Sequence, residues 1–117
     1  MATEYNLTIH AGETRVMVVT VTDQYGVPVD LTGAEIVYTA LLSTPIVKKV
    51  GSGITITDPT AGEYEIALLQ DDTVDIEMAT RARHEAKILT AGGEVMVSFV
   101  GYLFISDSLV GSLPEVP

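Results

Sequence analysis

Ile54-Thr55-Ile56-Thr57-Asp58-Pro59-Thr60-Ala61-Gly62-Glu63-Tyr64-Glu65-Ile66-Ala67-Leu68 alternates apolar and polar residues on both sides of a short break. Successive side chains of a strand point to opposite faces, so this period of two predicts half-buried β-structure. Ile54 and Ile56 share one buried face, and Tyr64, Ile66 and Leu68 form the next. The break at residues 58–62 carries turn chemistry: proline presets φ, aspartate accepts backbone hydrogen bonds, and Gly62 closes the reversal. The stretch therefore reads as a β-hairpin.

Outward from it, strand signals continue in both directions. Residues 14–22, Thr-Arg-Val-Met-Val-Val-Thr-Val-Thr, are a β-branched run of strand length. Asp23-Gln24-Tyr25-Gly26 ends that run as a turn. Residues 35–42 place Ile36, Tyr38, Ala40 and Leu42 on one face, and Pro45 stops them. Residues 46–50 read as a shorter strand, whose Lys48-Lys49 pair suits a sheet edge. Beyond the hairpin, residues 71–79 are the one helical turn, with Val74 and Met78 on a common face. It reads as a crossover between two sheets. Residues 81–89 turn Ala82, His84, Ala86 and Ile88 one way and Arg81, Arg83, Glu85 and Lys87 the other. The Thr90-Ala91-Gly92-Gly93 turn leads into the longest strand, residues 94–106.

About seven or eight short strands with turns between them predict an all-β fold, an immunoglobulin-like antiparallel β-sandwich with one short helical crossover. A small closed barrel is the alternative. The chain of 117 residues fits a single domain, with its core in residues 5–108 and a C-terminal arm over 109–117. Prolines at 114 and 117 keep the arm from being a regular strand.

Composition narrows the function. Sixteen acidic residues against six basic ones give a formal charge of −10, which disfavours nucleic acid and anionic membranes as partners. A hydrophobic content of 47% excludes a disordered acidic tail. The absence of cysteine removes disulfides and thiolate metal sites. The N-terminus carries no signal-peptide pattern, and no apolar run is long enough to span a bilayer, so a soluble protein is expected.

The search for chemistry yields little. His10 and His84 stand alone, without a Gly-x-Ser-x-Gly elbow, and His84 among alanines reads as a hydrogen-bonded core residue. Seven acids and no base lie between Asp58 and Glu77. Their spacing departs from an EF-hand loop, so they read as a solvated acidic face. No catalytic, cofactor or metal residues are assigned, and a non-enzymatic protein is expected. Arg81, Arg83 and Lys87 are expected to pair with acids of a neighbouring strand or of a partner. A carbohydrate-binding module would need exposed aromatics, and five tyrosines and two phenylalanines, several of them inward, are a thin supply.

What asks for a partner is surplus apolar strand surface. The last strand is apolar on both faces: Val95, Val97, Phe99, Leu103 and Ile105 against Met96, Val100, Tyr102 and Phe104. Residues 14–22 repeat this pattern. Either a β-bulge near Gly101 switches the face mid-strand, or the surplus is an assembly interface. The candidate interface residues are Met96, Val100, Tyr102 and Phe104, with Leu113 and Val116 of the arm.

Residues 19–34, Val-Thr-Val-Thr-Asp-Gln-Tyr-Gly-Val-Pro-Val-Asp-Leu-Thr-Gly-Ala, carry a family resemblance. The pattern of a strand, Asp-x-x-Gly-x-Pro-Val-Asp-Leu-Thr-Gly-Ala and another strand resembles immunoglobulin-like structural domains of tailed bacteriophages. These are the domains of baseplate upper proteins and of tail-fibre attachment. The hairpin at 54–66 and the closing hairpin from His84 resemble the same family, and the likeness spans about residues 5–108. His84 departs from the pattern, standing where an aromatic is common. The resemblance implies a virion structural protein, made in the host cytoplasm, that docks on the tail or baseplate as an attachment subunit. A head decoration or head-tail protein is the alternative. Its implied partners are other virion structural proteins and further copies of itself. The segment from Met1 to Thr8 and the arm from Gly111 to Pro117 would be ordered by those neighbours.

Overall fold

Nine strands and one short helix make up the described residues, 3–76 and 78–107, of the computed structural model. In chain order they are β1 (Thr3–Glu4), β2 (Leu7–His10), β3 (Arg15–Thr20), β4 (Glu35–Ala40) and β5 (Ile46–Val50). There follow β6 (Gly53–Asp58), β7 (Glu63–Leu68), α1 (Gln70–Thr73), β8 (Thr80–Leu89) and β9 (Val95–Ser106). The hairpin expected at residues 54–68 is β6–β7, with Ile54 opposite Ile66 and Ile56 opposite Tyr64.

The strands form one hydrogen-bonded path, β1-β9-β8-β4-β5-β6-β7-β3, with β2 also on β9. Tyr64 of β7 nevertheless donates a buried 2.8 Å hydrogen bond to Ser98 of β9, far along that path. The sheet therefore curls until its two ends face each other. One layer holds β9, β8, β4 and β5, and the other holds β6, β7 and β3. Between them lies a single core that includes Ile36, Tyr38, Ile66, Leu68, Ile88, Phe99 and Leu103. The fold is all-β and sandwich-like.

Several expectations change in detail. There are nine strands rather than seven or eight among the described residues, and not every pairing is antiparallel. β1 and β2 run parallel to β9, with Glu4 opposite Val100 and Leu7 opposite Leu103. From Thr3 onward the N-terminal segment is thus ordered by its own chain, where neighbouring subunits were expected. Backbone groups along β9 that β8 leaves unpaired need partners, and residues 3–10 supply them. The arm, with Leu113 and Val116, lies outside the described residues.

The lysine-bearing strand β5 is not an edge, since it sits between β4 and β6. Lys48 serves another purpose. Its Nζ lies 2.9 Å from Oδ2 of Asp72 in α1, with both side chains largely covered. The same carboxylate oxygen accepts the Leu69 backbone N–H at 2.7 Å, tying the helical turn to the sheet. The helix itself is shorter than expected, ending at Thr73, and Met78 is 77% exposed instead of sharing a buried face with Val74. Asp72→Asn keeps a hydrogen-bond acceptor but removes the charge. It is expected to lower stability by about 1 kcal/mol in urea unfolding, and this loss should vanish in a Lys48→Met background.

Candidate docking surfaces

Strand β9 settles how its surplus apolar residues are used. Ala86 pairs with Phe99 while Lys87 pairs with Val97, leaving Ser98 as an extra residue. The bulge is real but sits at Ser98, not near Gly101. One extra residue inverts the alternation of faces. Before it Met96 turns inward and packs against the core, and after it Phe99, Leu103 and Ile105 do so. Met96 is accordingly not an outward interface residue. Val100, Tyr102 and Phe104 do share the outer face, where Val100 and Phe104 are 37% and 38% exposed. Arg81 spreads its guanidinium over the Tyr102 ring, 4.8 Å from the centroid. The bulge thus accounts for Met96 and leaves the other three candidates outward.

Gly101 has a different role. A Cβ there would overlap the Tyr5 carbonyl oxygen and lie 2.8 Å from Asn6 Oδ1. The bare backbone lets the link between β1 and β2 lie flat on β9, where Tyr102 N–H donates to Asn6 Oδ1 at 2.9 Å.

His84 is buried beneath that link. Its Nε2 is 2.6 Å from the Tyr5 carbonyl oxygen, and its Nδ1 is 2.9 Å from the Tyr38 hydroxyl. A carbonyl can only accept, so Nε2 carries the proton and Nδ1 accepts from Tyr38. Tyr5, Tyr38 and Phe99 pack their rings around the imidazole. Burial holds the His84 pKa below its ordinary value, partly opposed by the bond to Tyr5. Burial likewise raises Tyr38, and raises Tyr64 to about 12. Both ring nitrogens of His84 and the Tyr38 hydroxyl are thus satisfied within the chain, as expected for a core histidine.

The charged side chains are segregated. Registers align Lys49 with Val37 and Val37 with Lys87 across three strands. They also align Arg81 with Phe104, Arg83 with Tyr102, and Glu85 with Val100. Lys49, Arg81, Arg83 and Lys87 therefore share the outer face of the larger layer. Among the described residues none of the four forms an ion pair, contrary to the neighbouring-strand pairing expected for Arg81, Arg83 and Lys87; the ion pairs found are Lys48–Asp72 and Arg15–Glu13. Alternation along β8 groups its three cations, and Lys49 joins them only through register. On the opposite layer, Val18 aligns with Glu65 and Thr20 with Glu63. An open pocket of about 680 Å³ lies between residues 42–47 and the α1–β8 connection, with Asp71, Asp72 and Asp75 on its wall. Of the aromatics, Tyr38, Tyr64 and Phe99 are buried, while Tyr25 is 82% exposed at a turn.

These elements define an all-β, sandwich-like domain with a single core and two chemically distinct outer faces. No protein-family model matches the chain, and no curated protein matches it. Among solved structures it is similar to the N-terminal domain of phage TP901-1 ORF48, with a TM-score of 0.51. That likeness covers 90% of this chain and 84% of the phage domain at 10% sequence identity, and so concerns the fold.

Proposed function

We propose that this protein is a non-enzymatic structural subunit of a tailed-bacteriophage virion. It docks on the tail or baseplate and serves as an attachment subunit for fibre or other tail components. The observation that carries this reading is the backbone likeness to a phage domain along 90% of the chain. The Asp-x-x-Gly-x-Pro-Val-Asp-Leu-Thr-Gly-Ala block at residues 23–34 supports it independently. The block is a tight structure: Asp23 Oδ1 accepts from the Tyr25 and Val27 N–H groups, and Leu31 is wholly buried. A motif of this kind fixes a corner of the fold and leaves the sheet faces free for docking.

The test is made on particles of the phage that encodes the chain. Mass spectrometry of purified virions is expected to find the protein, and immunogold labelling is expected to place it at the tail end. Label on the head would replace the tail reading with a decoration role. Absence from purified virions would overturn both.

A further inference from the structure

The two layers share one core, so their outer faces point in opposite directions. These faces carry opposite charge. The outer face of β1, β9, β8, β4 and β5 holds Lys49, Arg81, Arg83 and Lys87 against the acids Glu4, Glu35 and Glu85. This is a basic face on a chain whose net charge is −10. It also gathers exposed apolar residues: Val37, Val47, Val100 and Phe104 lie among the cations. The outer face of β3, β7 and β6 holds Glu63 and Glu65, with no cation facing outward from these three strands. There Val16 and Val18 are 52% and 58% exposed beside those glutamates.

We propose that a second copy of this chain docks its β3–β7 face on the β8–β9 face of the first. Glu63 and Glu65 of one copy meet Arg81, Arg83 and Lys87 of the next, and Val16 and Val18 cover Val100 and Phe104. Apolar contact supplies the area and charge complementarity sets the orientation. Two different faces meet in this arrangement, so it is heterologous. It propagates as a ring if the rotation between copies closes and as a stack if it does not. A symmetric pairing of like faces is opposed by repulsion on either side. Such docking depends on surface chemistry alone, whichever place in a virion the chain takes.

The test is sedimentation velocity of the purified full chain over a concentration series. The expected result is mass rising with concentration in about 50 mM NaCl. The association constant should fall at least about tenfold in about 500 mM NaCl, as screening shortens the reach of the charges. A chain that stays monomeric throughout overturns the proposal, and so does association that ignores salt. Two double variants then assign the faces. Arg83→Glu with Lys87→Glu, and separately Glu63→Lys with Glu65→Lys, should each be monomeric alone. An equimolar mixture should associate again, because each retains the face that the other needs. A variant that associates like the unmodified chain overturns the assignment. Salt dependence of the unmodified chain stands even if a variant fails to fold. Solution monomers together with virion localisation would sink this inference and leave the functional reading intact.

Discussion

Gly101→Ala is expected to destabilise the protein by about 3 kcal/mol and to loosen residues 3–10 from β9. The added methyl group has no space, because it would overlap the Tyr5 carbonyl oxygen and crowd Asn6 Oδ1. Backbone atoms cannot swing aside as a flexible side chain does, so either β9 or the β1–β2 link must shift. Overpacking of this kind typically costs about 1–3 kcal/mol, and three close contacts put this position at the upper end. The shift would also lengthen the bond from Tyr5 to His84, which lies on the same link. Gly93→Ala is the control, since open space surrounds that position and only its φ of 90° is unfavourable. It should cost about 1–2 kcal/mol. Urea unfolding gives both values, and hydrogen exchange at the Tyr5 and Ala11 amides, which donate to the Val100 and Ser106 carbonyls of β9, tests whether the N-terminal strands have come loose. Equal losses for the two variants would show that close approach is not what selects glycine at 101.

The same residue shows where sequence reading reached its limit. A glycine within a long apolar strand signals either a bulge or a close backbone approach, and periodicity alone does not choose between them. Here the bulge falls at Ser98 and the approach at Gly101, three residues apart. Inward faces were legible wherever alternation was unbroken, as at Ile36, Tyr38, Ala86 and Ile88. They failed at Met96, on the far side of a bulge that no residue type announces. The N-terminal strands were missed because parallel pairing is non-local. Nothing in Thr3-Glu4 or in residues 7–10 states that β9, about a hundred residues away, is their partner. Lys48 was misjudged for a related reason, since its acid lies in α1 and only the fold brings them together. The basic face was half legible. Alternation put Arg81, Arg83 and Lys87 on one side of β8, but register was needed to add Lys49 and to set Val100 and Phe104 beside them.

His84→Ala is expected to lower stability by about 3 kcal/mol at neutral pH, with the fold retained. Removing the ring leaves a cavity among Tyr5, Tyr38 and Phe99, and it takes the acceptor from the buried Tyr38 hydroxyl. Loss of the Nε2–H also strips the Tyr5 carbonyl of its donor. Each of these terms destabilises, and together they place the change among ordinary large-to-small core substitutions. Tyr38→Phe should cost less, about 1 kcal/mol, because it leaves no void and the neutral ring loses one hydrogen bond. The pH dependence has a definite sign. The folded His84 pKa is held below 6.5, so the unfolded chain binds the proton more readily. The stabilisation is therefore complete above about pH 6.5 and is lost as pH falls through the folded value. The difference in stability between the unmodified chain and His84→Ala should accordingly narrow under acid conditions, read from urea midpoints across the range. A difference that widens as pH falls would mean the imidazolium is favoured in the core, and the assigned pattern of donor at Nε2 and acceptor at Nδ1 would be wrong. A midpoint that does not move at all at neutral pH would remove His84 from the packing of the core. The histidine would then need a role other than structure.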